Sequence, residues 1–370
     1  MNPRRGVVIA GGGTGGHVVP GLTITRALIR RGVPAGDLHW IGSSRGMEVV
    51  DVPAAGIELT VLPGRGIERK LTPANIRNLF DIARAVPRAV RVLRRLRPGV
   101  VVSLGGYAAV PASVGAWLLR IPIVIQEQNA NPSLANRLVS RRARHAAVAI
   151  AGTGLRNEVV TGNPLREEIV AARGLEANAA KERLGVPTDR PLVLCFGGSL
   201  GSRRINLATL DAADNWRSRT DISVRHVIGT RDWESVQPRI RSLAVEALHY
   251  EAVEYESDMA TWLAAADVAV CRSGGMTVSE LAALGVSAVL VPLPIAPNDA
   301  QRHNAAALER AGAAVVVTDA ELDGARLATE VERMLADPSS LERRSEAAAS
   351  LGRPTADEDI ASLILGCLDD

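Results

Sequence analysis

Aromatic side chains are scarce in this chain of 370 residues, at 3%. That scarcity argues against the stacking platforms on which single-stranded nucleic acid is held. Lysine is nearly missing as well, with only Lys70 and Lys181. The net charge of +3 is too weak to argue for nucleic acid, and no nucleic-acid partner is expected. The cysteines are Cys195, Cys271 and Cys367. They lack metal-ligand spacing, and a sparse, odd count fits a reducing cytosol better than a disulfide framework. No secretory leader is read, because Met1 to Ile9 runs straight into a strand. The most apolar stretch, Val100 to Ile125, is broken by Gly105-Gly106, Pro111, Arg120 and Pro122. It reads as strand, helix, strand rather than a membrane span.

What the chain does have is 47% hydrophobic residues, 34 glycines and recurrent short Val/Ile/Leu runs, which is the composition of an α/β protein. Its length allows two domains. The recurring device is a buried strand, a glycine turn and a helix. Gly6 to Ala10 is followed by Gly11-Gly12-Gly13-Thr14-Gly15-Gly16-His17 and a helix, Val19 to Arg31. Val100 to Leu104 is followed by Gly105-Gly106-Tyr107, and Pro191 to Phe196 by Gly197-Gly198-Ser199-Leu200-Gly201-Ser202. Ala264 to Val270 is followed by Cys271 to Glu280, which holds Gly274-Gly275, Met276, Thr277, Val278 and Ser279. Unpaired N–H groups and the helix dipole at such turns favour an anion. Glu280, one turn into its helix, suits the hydroxyls of a ribose better than a phosphate. Phosphate plus diol points to a nucleotide; the alternative is a tight turn with a capping pair, Thr277 and Glu280.

Gly11, Gly13 and Gly16 match the dinucleotide fingerprint, which also wants an acid ending the second strand. Here Leu38 to Ile41 ends in Gly42-Ser43-Ser44, so NAD is disfavoured. His17 sits at the mouth of a helix, where the dipole lowers its pKa and a neutral base becomes available; packing of the turn is the alternative. Ile121 to Ile125 reads as a strand ending in Gln126-Glu127-Gln128-Asn129, with Glu127 a possible acid or base and Asn129 a reader of hydroxyls. Pro73 to Arg97 reads as a helical region interrupted at Pro87. It carries Ile76, Leu79 and Phe80, then Arg88, Arg91, Arg94, Arg95 and Arg97, which suits an anionic membrane surface or simply a solvated basic face. The pattern breaks at Gly162-Asn163-Pro164-Leu165-Arg166, the expected domain boundary. The two halves predict two α/β domains facing one cleft. Gln301, at a later strand-to-helix junction, is placed to share a ligand with Glu280.

Taken in order, Gly12 to His17, Gly105-Gly106-Tyr107, Glu127-Gln128-Asn129, Gly162 to Arg166, Gly197 to Gly201, Cys271 to Glu280 and Gln301 to Asn304 closely resemble the MurG family of UDP-N-acetylglucosamine-dependent glycosyltransferases over nearly the whole chain. The resemblance implies a GT-B fold: two Rossmann-like domains with parallel sheets facing an interdomain cleft. Residues 1–162 would form the acceptor- and membrane-facing domain and 163–349 the donor domain, with a helix at about 350–370 packing back on the first. It implies inverting transfer of GlcNAc from UDP-GlcNAc to the C4 hydroxyl of MurNAc in lipid I, giving lipid II, at the cytoplasmic face of the membrane, with no metal or cofactor. Ser199 and the turn from Gly275 to Ser279 would hold the diphosphate, Glu280 the ribose and Gln301 the sugar. Backbone at Glu256 would meet the uracil, and Asn129, Arg166 and the Thr14-Gly15-Gly16 loop would complete the donor site. Gly13, Thr14, Gly105, Gly106 and Tyr107 would face the acceptor diphosphate. His17 is the first candidate for the base that the weakly nucleophilic hydroxyl needs, and Glu127 the second. The chain departs from the family pattern at Gln126, Leu200 and Ala300. Rival readings are a transferase of the same fold acting on another lipid or natural product, a UDP-GlcNAc 2-epimerase, and a noncatalytic nucleotide-sugar binder.

Overall fold

The computed structural model describes residues 6–63, 73–198, 200–243 and 246–369, with side chains described except at 73–83 and 369. The chain divides into two compact units. One runs to Arg166 and resumes at Arg353; the other is Glu167–Gly352. Each is built on a parallel sheet whose central strands are apolar on both faces, as helices covering both sides require.

The first sheet holds β1 (Val7–Ala10), β2 (Leu38–Ser43), β3 (Glu58–Leu62), β4 (Val100–Ser103), β5 (Ile123–Glu127), β6 (His145–Val148) and β7 (Glu158–Val160), in the order β3-β2-β1-β4-β5-β6-β7. The second holds β8 (Leu192–Phe196), β9 (Ser223–Val227), β10 (His249–Val253), β11 (Val268–Cys271), β12 (Ser287–Leu290) and β13 (Ala314–Val316), in the order β10-β9-β8-β11-β12-β13. The strand order reverses between β1 and β4 and between β8 and β11. Crevices at such reversals, beyond the carboxyl ends, are where open α/β sheets bind ligands. Register makes those ends level: Ala10 pairs with Ile41 and Ser103, and Cys271 pairs with Phe196 and Leu290.

In the first unit the helices are α1 (Gly15–Arg30), α2 (Glu48–Ala54), α3 (Pro73–Leu96), α4 (Gly106–Leu118) and α5 (Leu134–Ser140). Several differ from the sequence expectation. The first begins at Gly15, so His17 lies inside its first turn rather than ahead of it. The third continues through Pro87 without a break. β5 ends two residues later than its apolar run, because Gln126 and Glu127 pair with Ala147 and Val148 of β6. β7 carried no run long enough to be read.

The C-terminal helix Ala356–Asp369 packs on α1. Its Ile360, Ala361, Ile364 and Cys367 join Ile24, Leu28 and Trp40 in one core. Each fully buried isoleucine contributes roughly 1.5–3 kcal/mol. Asp357 and Glu358, in that helix's first turn, pair with Arg30 at the end of α1. These pairs are partly exposed to solvent and add little beyond alignment.

Candidate active site

In the first unit the site is organised by a residue that the sequence did not single out. Glu48 opens α2 and is fully buried. Its Oε1 accepts from Ser43 N at 2.9 Å and Ser43 Oγ at 2.8 Å, and its Oε2 accepts from Gly13 N at 2.8 Å. The Ser43 hydroxyl also lies 3.1 Å from the Tyr107 hydroxyl. A Cβ at Gly12, Gly42 or Gly46 would stand 2.0, 2.7 or 1.9 Å from the nearest Glu48 atom, so those glycines make room for a carboxylate. Gly13, expected to face the acceptor diphosphate, thus spends its N–H on Glu48. Thr14 and Gly16 stay exposed and Gly15 half-buried at the α1 N-terminus, where first-turn N–H groups lack intrahelical acceptors.

His17 is half-buried, its Cε1–Nε2 edge turned toward Gly106 and its Nδ1 3.5 Å from Thr14 Oγ1. Protein packed around the ring lowers its pKa below the ordinary imidazole range, and the Glu48 charge acts in the opposite direction. Gly105 and Gly106 both have positive φ, 84° and 71°. Gly105 pairs that φ with ψ −170°, a region that is essentially glycine-only. A Cβ at Gly106 would meet the His17 ring at 3.4 Å. The structure therefore brings His17, Gly13, Gly105, Gly106 and Tyr107 together at the first sheet's reversal.

Glu127, the second base candidate, is 1% exposed, and both oxygens accept hydrogen bonds. Oε1 accepts from Asn129 N and Nδ2 at 3.1 and 3.3 Å; Oε2 accepts from Ser133 N at 3.0 Å and Asn136 Nδ2 at 2.9 Å. Burial raises its pKa against those hydrogen bonds. A base must reach the proton it takes. This carboxylate instead shapes the β5–α5 loop, Asn129 included. Behind it Gln126, Gln128 and Asn163 form a buried amide network: Gln126 Nε2 donates to Asn163 Oδ1, Asn163 Nδ2 to Gln128 O, and Gln128 Nε2 to Leu104 O and Gln126 Oε1. Gln126 is thus structural. Arg166, half-buried, is the last residue of this segment of the first unit.

In the second unit, Ser199 lies outside the described residues. The turn around it is fixed by contact with β9's end, because a Cβ at Gly201 would fall 2.0 Å from Ile228 O. Asn206, in helix Arg203–Asn215, donates to Ile228 O at 3.0 Å and Asp232 Oδ2 at 3.0 Å. Its Oδ1 therefore accepts from His226 Nε2 at 3.1 Å, which leaves His226 Nδ1 to accept from the Tyr250 hydroxyl at 2.8 Å. Burial pushes the His226 pKa down to about 3, so the ring stays neutral. Ser202, at the start of that helix, is buried, and its hydroxyl has no partner among the described residues. Leu200 is exposed and Ala300 buried.

Across the reversal, Gly274 caps helix Gly275–Leu284. Met276, Thr277, Ser279 and Glu280 are half-buried, and Val278 is buried. The Ser273 hydroxyl donates to Gln301 O at 2.8 Å, and Asn304 Nδ2 donates to Ser273 O at 3.2 Å, which ties the two strand-to-helix junctions. Gln301 Oε1 accepts from Leu293 N at 2.9 Å. That fixes the amide's orientation, so Nε2 is the group turned away, a donor. The Glu256 carboxylate is held by Arg225, whose guanidinium stacks 4.2 Å over Trp262, and by Asp258 N at 3.0 Å. The side chain fixes the backbone beside it. Ser43, Glu48, Asn136, Asn206 and Arg225 escaped the sequence reading; only the glycines around Met47-Glu48 gave a signal.

Residues 7–148 match the model of the glycosyltransferase family 28 N-terminal domain, and residues 192–360 that of the family's C-terminal domain. The chain is 37% identical over 366 residues, covering 97% of each sequence, to the UDP-N-acetylglucosamine--N-acetylmuramyl-(pentapeptide) pyrophosphoryl-undecaprenol N-acetylglucosamine transferase of Desulforudis audaxviator. The crystal structure of MurG from Acinetobacter baumannii superposes with a TM-score of 0.79 at 28% identity, covering 98% of this chain and 99% of that one. A UDP-GlcNAc 2-epimerase from Neisseria meningitidis matches at a TM-score of 0.66 and 13% identity, covering 97% of this chain and 99% of that one, a likeness of fold alone.

Proposed function

The chain belongs to glycosyltransferase family 28, and on that premise we propose that it transfers GlcNAc from UDP-GlcNAc to the C4 hydroxyl of MurNAc in lipid I, giving lipid II for peptidoglycan. The observation that carries this is the relationship over 97% of the chain to a transferase of that name. In the reaction the acceptor oxygen attacks the anomeric carbon in line, the bond from that carbon to the diphosphate oxygen breaks, and UDP departs with inversion. His17 takes the hydroxyl proton. Its lowered pKa supports that role, since a neutral ring is then present near neutrality.

The donor reading rests on the second unit. N–H groups of the turns at Gly197 to Ser202 and Gly275 to Thr277 stabilise the leaving diphosphate, together with the helix dipoles behind them. Ser202 adds a hydroxyl that has no other described partner. Glu280 receives the ribose hydroxyls. Gln301 donates through Nε2 to a sugar oxygen, consistent with its Oε1 being held by Leu293 N. Asn129 and Arg166 complete the donor site, and Thr14 to Gly16 with Gly105 to Tyr107 receive the acceptor diphosphate.

UDP release from UDP-GlcNAc, measured with and without a soluble lipid I analogue, tests this. Release is expected only with the acceptor, along with a GlcNAc-bearing product. Acceptor-independent consumption of donor, or none at all from protein that binds UDP, would overturn it.

Docking on the cytoplasmic face of an anionic membrane belongs to the same proposal. Among the described residues no helix is long and apolar enough to cross a membrane. Arg84, Arg88 and Arg91 share one face of α3 and, with Pro63 and Pro87, line an open groove of 610 Å³. Trp117 and Leu118 are 43% and 63% exposed at the end of α4, which packs on α3. The side chains of Ile76, Leu79 and Phe80 lie outside the described residues. At about 1 kcal/mol per arginine near an anionic surface, replacing the three by alanine is expected to weaken binding to phosphatidylglycerol vesicles about 10²-fold, leaving UDP binding intact. Vesicle binding unchanged in a sedimentation assay would eliminate the patch.

A further inference from the structure

We propose that Glu48 is a positioning residue: its buried carboxylate clamps the β1–α1 and β2–α2 loops and, through Ser43 and Tyr107, the β4–α4 turn, and so sets where His17 presents its imidazole. The proposal rests on His17 being the base, and it adds a residue whose part in the reaction is indirect.

The geometry carries it. Gly13 N donates to Glu48 Oε2, and the next turn of chain places His17, whose N–H donates to Thr14 O at 3.0 Å. Ser43 gives both its N–H and its hydroxyl to Oε1, and that hydroxyl meets Tyr107 beside Gly106, against which the His17 ring rests. The carboxyl-end loops of the adjacent strands β2 and β1 are thus joined through Glu48, and that of β4 through Ser43 and Tyr107. The carboxylate is fully buried, and Gly12, Gly42 and Gly46 leave no space for any β-carbon around it. Burying a carboxylate is costly unless every lone pair it turns inward is met. Three donors meet it here, all from the loops that it joins.

Among the described residues, α2 brings Glu48 toward His17, α4 brings Tyr107 and the preceding loop brings the Thr14 hydroxyl. The C-terminal helix meets α1 at its opposite end, where Asp357 and Glu358 engage Arg30. Glu48 is therefore the charge that acts on the ring, and its removal lowers the His17 pKa further.

Glu48→Gln keeps the shape and removes the charge and one acceptor. In the full-length protein, the expected results are a kcat lower by roughly tenfold, from a misplaced base, a KM for UDP-GlcNAc within about twofold, and a His17 ring titration by ¹³C-histidine NMR displaced to lower pH. A ring titration at the wild-type pH would overturn the proposal. If Glu48→Gln does not fold, Ser43→Ala removes the hydroxyl that both donates to Glu48 Oε1 and meets Tyr107, leaving the Ser43 and Gly13 N–H donors in place; it is expected to lower kcat by about threefold with KM held, and an unaltered kcat there overturns the proposal too. The NMR titration needs no substrate. A wild-type protein without acceptor-dependent turnover would therefore defeat the assigned reaction while leaving the clamp open to its own test.

Discussion

His17→Ala is expected to lower kcat by about 10²–10⁴-fold, the range that a positioned general base supplies. The protein should fold normally. The ring is partly buried but its contact with Thr14 Oγ1 is 3.5 Å long, and the main-chain hydrogen bond from His17 N–H to Thr14 O does not depend on the side chain. UDP-GlcNAc affinity by calorimetry should be retained, because the groups assigned to the diphosphate, ribose and sugar belong to the other unit. The wild-type pH profile supplies an independent check. A base acts only when deprotonated, so kcat/KM falls as pH drops through its pKa. Burial lowers that pKa, which puts the acid limb below the ordinary imidazole range, and the limb should vanish in the variant. A folded His17→Ala protein with near wild-type turnover would rule out His17 as the base.

The second large effect is expected at Gly201. Its φ is +75°, and a Cβ would lie 2.0 Å from Ile228 O and 3.2 Å from Gly229 Cα. Both neighbours are main chain, so no rotamer change relieves the contact. Gly201→Ala combines a left-handed strain with an overpacked contact, about 2–5 kcal/mol together. Part of that should appear as a lower unfolding temperature. The part relieved by shifting the loop should appear as weaker UDP binding, about tenfold for each 1.4 kcal/mol. The neighbouring Leu200, exposed on the same turn, offers the contrast: Leu200→Gln should leave stability unaltered. Thermal unfolding of both variants with and without UDP separates these outcomes, and a Gly201→Ala protein with wild-type stability and affinity would show the contact to be loose.

Much of the site was legible because its signals are local. The apolar runs announced buried strands, and the glycine pairs after β4, β8 and β11 announced turns into helices. Those turns stand at the two places where strand order reverses. Gln126 and Glu127 were misjudged for a related reason. Polar residues after an apolar run read as a loop, but pairing with β6 keeps them in the sheet and buries them. Glu127, read as a possible acid or base, organises a loop.

The sequence by itself determined the parallel α/β class, the positions of the glycine turns and the ordered motifs that mark the family, since each depends on neighbours within a few residues. The tertiary structure decided which group each polar atom answers to. Gly12, part of a glycine turn read for phosphate, makes room with Gly42 and Gly46 for the Glu48 side chain. Gly13 and Glu48 stand 35 residues apart and meet only because β2 lies beside β1. A buried carboxylate takes its partners from whatever loops the strand order brings level with it, and that order is set by the packing of the whole sheet.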